Sequence, residues 1–135
     1  MTETTYCKIV RTGGIYDFVS TAAFATPWTF VIIMRFLGRF DALPDFGPLH
    51  LLFANLMGSL VILWALLRIR DPRPVYGLYD SGSRFLFFTW ELYYLIAMHG
   101  TPIVWFFVFF EILFGAIEGY GYWHLRKSEP ELLAD

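Results

Sequence analysis

Glu111 stands midway along the run from Pro102 to Trp123, which is otherwise apolar and aromatic. A carboxylate at the centre of a membrane helix costs roughly 2.5 to 3.5 kcal/mol, so such a residue turns inward, finds a partner or takes up a proton. Gly115 and Glu118 follow at spacings of four and three, which puts the three positions on one helix face. Gly115 and Gly119 add a small-xxx-small step, where a neighbouring backbone can approach closely. Glu91 lies in the preceding apolar segment, with Tyr94 and Leu95 on its side. If the two segments pair, Glu91 and the Glu111–Glu118 face come together. Two carboxyls so placed in a low dielectric cannot both ionise. Such a site suits proton binding, ligand binding or general acid work.

Other polar residues could join it. Asp17, at the start of the first apolar segment, can complement the helix dipole or pair with Arg84. Glu118 can also pair laterally with Arg84. Asn55 and Ser59 share one face of the second segment beside Gly58, a pattern for interhelical hydrogen bonds or for an amide aimed at a ligand. The candidate ligand- or proton-binding set is therefore Glu111, Glu91, Glu118, Asn55, Asp17, Arg84 and Tyr94. Trp90, Tyr93, Trp105 and Phe110 lie close to the acids in sequence, and aromatic faces attract cations. His50 and His99 fall at a membrane rim without ligand spacing, and the Glu-x-x-His pattern of carboxylate-bridged metal bundles is missing. No metal or other cofactor is expected. The single cysteine, Cys7, excludes an intramolecular disulfide and a cysteine-only zinc site, and reads as an unreactive thiol. The chain contains no P-loop, GxGxxG, HExxH, GxSxG or CxxC motif.

Four apolar segments must position these groups. They run over about 15–37, 49–67, 84–98 and 102–123, within one domain over 1–127, followed by a polar tail over 128–135. The third is short for a bilayer core of about 30 Å. Pro27 predicts a kink in the first. Asp71-Pro72-Arg73-Pro74 stops the second, and Asp80, Ser81 or Ser83 can cap the third. In His99-Gly100-Thr101-Pro102, Gly100 suits a left-handed position, Thr101 an N-cap and Pro102 the first helical residue. That predicts a tight antiparallel hairpin. A cleaved leader is not expected, because Asp17 interrupts the short apolar region that would form one.

Hydrophobic residues make up 57% of the 135 and charged residues 16%, against about 25% charged in soluble domains. A soluble core of this size could not hide so much apolar surface, so the expected partner is the lipid bilayer. A net charge of −2 with no basic patch gives no nucleic-acid signal. With four crossings, Lys8, Arg11, Arg68, Arg70, Arg73, Arg84, Arg126 and Lys127 share one side, against Arg35 and Arg39 on the other. The positive-inside rule then places both termini in the cytoplasm of an inner membrane. Trp64, Trp123, Tyr120 and Tyr122 suit a cytoplasmic interfacial belt.

Tyr16-Asp17-Phe18, Phe53-Ala54-Asn55-Leu56-Met57-Gly58, Gly77-Leu78-Tyr79-Asp80 and Glu111-x-x-x-Gly115, in this order, resemble small four-helix bacterial inner-membrane proteins. The layout is similar to the DoxX-like and BphX-like groups. The resemblance implies an all-α, four-helix membrane bundle and supplies no catalytic residue. The thiosulfate–quinone oxidoreductase activity of some DoxX relatives is matched by no motif here. The leading functional expectation is a bundle that binds or moves a lipophilic small molecule through carboxylates in an aromatic interior. The alternatives are an accessory subunit of a membrane complex or a homo-oligomer, and a membrane-embedded isomerase or cyclase protonating an alkene. A redox subunit is a further one.

Overall fold

The computed structural model describes residues 1–128, and its regular structure is entirely helical. Five α-helices follow one another: α1 (Glu3–Thr21), α2 (Pro27–Leu37), α3 (Pro48–Arg70), α4 (Pro74–Ile96) and α5 (Val104–Ser128). A 3₁₀ turn, Ala22–Phe24, follows α1. Ser128 is thus the last residue of a helix, and the rest of the expected tail, 129–135, lies outside the described residues.

The first apolar segment is not one kinked helix. Its helix begins at Glu3, breaks after Thr21 and resumes at Pro27 on an axis turned by 96°. The cause is local. Thr26 is extended (φ −131°, ψ 150°) and accepts the Thr29 N–H at 3.2 Å, while Pro27 occupies the first helical position. Thr-Pro therefore acts as an N-cap and first residue, which starts a helix rather than bending one.

The third helix begins at Pro74, well before Arg84. Proline again sits in the first turn after an extended residue, Arg73. Its 23 residues span about 34 Å, so the expected shortfall disappears. Asp80, Ser81 and Ser83 are interior residues of α4 and not caps. At the α4–α5 hairpin the left-handed residue is His99 (φ 53°), not Gly100. Glycine serves a different purpose there. A Cβ at Gly100 would lie 3.0 Å from the Tyr94 carbonyl oxygen, which accepts the Gly100 N–H at 2.9 Å. Pro102 and Ile103 form a turn, closed by the Val104 N–H donating to the Thr101 carbonyl at 3.1 Å, before α5 starts at Val104.

The hairpin packs α4 along α5, as its short connection requires, and α1 packs along α3. The α4–α5 seam uses the predicted small residues. Ser81 donates to the Gly115 carbonyl at 2.8 Å, and a Cβ at Gly119 would lie 2.7 Å from Ser81 Oγ. The α1–α3 seam is closed by Gly14 against Ala65 and by Gly58, where a Cβ would lie 2.7 Å from the Phe24 carbonyl carbon. α1 also touches α4 and α5, joining the two pairs. α3 and α4, although consecutive in the chain, are not packed along their lengths.

The interior is polar and the exterior apolar. Buried polar or charged residues (Asp17, Arg68, Asp80, Ser81, Arg84, Glu111, Glu118) outnumber the buried hydrophobic ones, of which Tyr6, Val10 and Leu125 form one cluster. Large apolar side chains such as Leu60, Phe85, Trp105 and Tyr120 stand exposed instead. That inversion fits a lipid surround. α3 and α5 are long and apolar enough to cross a membrane, and the bent α1–α2 pair makes a third if it counts as one span. α4 is as long as α3 but carries Asp80, Arg84 and Glu91.

Candidate functional site

Arg84 is the centre of the buried polar interior. It lies on α4 and is 2% exposed. Its Nε donates to Asp80, one turn earlier on the same helix, at 2.8 Å. Its Nη2 donates to both oxygens of Asp17 on α1 at 2.8 Å. Its Nη1 donates to Glu111 Oε2 on α5 at 3.1 Å. Glu118, fully buried on α5, stands 3.8 Å from Nε. The guanidinium also lies 5.1 Å above the Phe114 ring and 5.8 Å from that of Tyr16, which stacks on Phe110 and Phe114. A planar fork with five donors suits this many partners; a lysine would not.

A second guanidinium completes the network. Arg68 on α3 donates to Asp17 and approaches Asp80 to 2.5 Å. Trp64, one turn earlier, donates its indole N–H to Asp80 at 2.8 Å and lies 5.3 Å beneath the Arg68 guanidinium. Each of α1, α3, α4 and α5 thus contributes a charged group, and the ion pairs hold the two helix pairs together. Four carboxyls face two guanidiniums, so the network is formally acid-rich. Gly13 makes room for it, since a Cβ there would collide with Glu118 Oε1. Among the described residues, neither oxygen of Glu118 accepts a hydrogen bond.

The network forms the floor of a cleft of about 840 Å³ between the two helix pairs. Its lining includes the buried groups Asp17, Asp80, Arg84 and Glu111. Its mouth opens between α3 and α4, where Met57, Leu60, Trp90 and Tyr94 line it and are exposed. The divergence of α3 from α4 creates the opening. A volume of this size is typical of small-molecule sites, which combine apolar walls with a few convergent polar groups.

The sequence candidates divide accordingly. Asp17, Arg84 and Glu111 meet on the floor, and Glu118 lies behind it. Asp17 is not at the start of its helix; it takes the ion-pair alternative, with Arg84. Glu91 and Tyr94 line the cleft outside the ion-pair network. Asn55 does not join the site. It donates to the Phe24 carbonyl at 2.7 Å and satisfies backbone left open by the α1–α2 break. Arg68, Asp80 and Trp64 escaped the sequence reading as site residues. In the sequence Arg68 resembles a loop cation, Asp80 a cap and Trp64 an interfacial anchor. A signal was present: Asp80, Arg84, Phe87, Glu91 and Tyr94 repeat at steps of four, three, four and three along one face of α4. His50 stands apart from the cleft and accepts the Gly47 N–H at 3.2 Å. Among the described residues, no three His, Cys, Asp or Glu side chains gather as metal ligands would. Comparison with protein-family models, curated proteins and solved structures finds no match to the chain.

Proposed function

We propose that this chain is an inner-membrane protein that binds a lipophilic small molecule in the cleft between α3 and α4. In this reading α1, α3, α4 and α5 cross the bilayer. The charged residues of α4 turn into the bundle, which leaves Leu78, Phe85 and Leu86 toward lipid. α2 has 11 residues, about 16 Å, too short to cross, and lies at the far interface with Arg35 and Arg39. Both termini are cytoplasmic, following the Lys and Arg bias.

One observation carries the functional reading: a cleft with apolar, exposed walls ends on a floor of fixed charges. An accessory subunit needs buried ion pairs to join its helices, but it does not need an open cleft above them. A lipophilic molecule can enter sideways from the bilayer and present its polar end to the floor.

The test is a binding titration of the purified full-length protein in non-ionic micelles with N-phenyl-1-naphthylamine, a neutral lipophilic fluorophore. Saturable enhancement is expected, weakened about tenfold or more by Val61→Trp, which fills the cleft wall. A signal that rises linearly, as in protein-free micelles, and ignores Val61→Trp refutes the reading.

A further inference from the structure

We propose that the ligand is a lipophilic cation, with Glu91 and Glu111 as its counter-charge; this rests on the lipophilic-cleft reading and adds the charge of the occupant. The cleft carboxyls differ in how fully they are already satisfied. Asp17 accepts from both Arg68 and Arg84. Asp80 is held by Arg68, Arg84 and Trp64. Glu111 is different. It is more than nine-tenths buried and lines the cleft, and Arg84 engages its Oε2 alone. Among the described residues its Oε1 has no hydrogen-bond partner. Glu91 also lines the cleft, belongs to no ion pair among the described residues, and has its Oε2 buried without a partner.

Charge complementarity points the same way. Among the described residues, four carboxyls and one guanidinium line the cleft. An anion would meet that excess and find Arg84 already engaged. A cation would meet two carboxyls with free oxygens. Trp90 and Tyr94 lie on either side of Glu91 in the α4 helix and line the cleft with it, and Phe87 and Phe107 line it too. Aromatic faces attract cations, most strongly where water is excluded. An organic cation can therefore exchange water for ring faces and the free carboxyl oxygens of Glu91 and Glu111 while its apolar groups fill the walls.

Tetraphenylphosphonium and tetraphenylborate have the same shape and opposite charge. Equilibrium dialysis against the purified full-length protein in non-ionic micelles, corrected for protein-free micelles, compares them directly. The wild type is expected to bind the phosphonium at least about tenfold more tightly than the borate. Glu91→Gln should cut that preference to within about threefold, and Glu91→Asp should restore most of it. Glu91 lies outside the ion-pair network, so an unchanged thermal midpoint in Glu91→Gln is the check on folding. A wild-type preference that Glu91→Gln and Glu111→Gln both leave intact overturns the assignment of the counter-charge. Equal saturable binding of both ions overturns the charge preference but leaves the lipophilic cleft standing. Absence of saturable binding by either ion and by the neutral fluorophore removes the cleft reading itself.

Discussion

Replacing Arg84 by methionine tests the account of the site most directly. The substitution keeps most of the side-chain volume and removes the guanidinium that ties Asp17, Asp80 and Glu111 together. Hydrogen bonds to charged groups contribute about 1.5 to 3 kcal/mol each, so three independent partners would give about 4.5 to 9 kcal/mol. They are not independent. Arg68 still holds Asp17 and Asp80, and a stranded Glu111 can take up a proton. Breaking a buried ion pair by removing one partner costs about 3 to 5 kcal/mol, and that is the expected loss. For a chain of 135 residues it corresponds to a midpoint lowered by about 9 to 25 °C, taking about 3 to 5 °C per kcal/mol. The assay is thermal unfolding of the full-length protein in non-ionic micelles, followed by near-ultraviolet circular dichroism. Arg73→Met is the control, because Arg73 pairs with Asp71 on the exposed α3–α4 turn and should shift the midpoint by no more than about 2 °C. An Arg84→Met midpoint within about 3 °C of the wild type would refute the claim that this cluster fastens the bundle.

Two further outcomes test the packing and the topology. Gly13→Ala drives a methyl into Glu118 Oε1 and should cost about 1 to 3 kcal/mol, whereas Gly82→Ala meets nothing within 4 Å among the described residues and should stabilise α4 by about 0.5 to 1 kcal/mol; the same thermal scans check both signs. Thr4→Cys in a Cys7→Ser background, at an exposed position near the start of α1, should react with a membrane-impermeant maleimide in inverted vesicles and be protected in right-side-out ones; the opposite pattern contradicts a cytoplasmic N-terminus.

The helical, membrane-directed character was legible in composition, because so many apolar residues have no soluble interior to occupy. Glu111 and Glu118 were legible as inward-facing from helical spacing alone, since lipid penalises ionised groups. The Arg84 partnerships with Asp17 and Glu118 were legible as possibilities of charge. The α4–α5 hairpin was legible because a short connection leaves two helices little choice but to pair. Arg68 and Asp80 were not. Thr26-Pro27 and Arg73-Pro74 each start a helix, but Thr-Pro inside an apolar run resembles a kink and Arg73-Pro74 resembles the close of a turn, so neither marks the boundaries of α1 and α4 in the sequence. With α4 begun ten residues late, its polar stripe could not be seen to pass through Asp80. The cleft itself lies beyond any one-dimensional pattern. It exists because α3 packs on α1 and α4 packs on α5, so two helices that are neighbours in the chain are held apart in space. Spacing tells which side chains share a face; the angles between helices decide which faces meet and which stay open, and those depend on contacts between residues far apart in sequence.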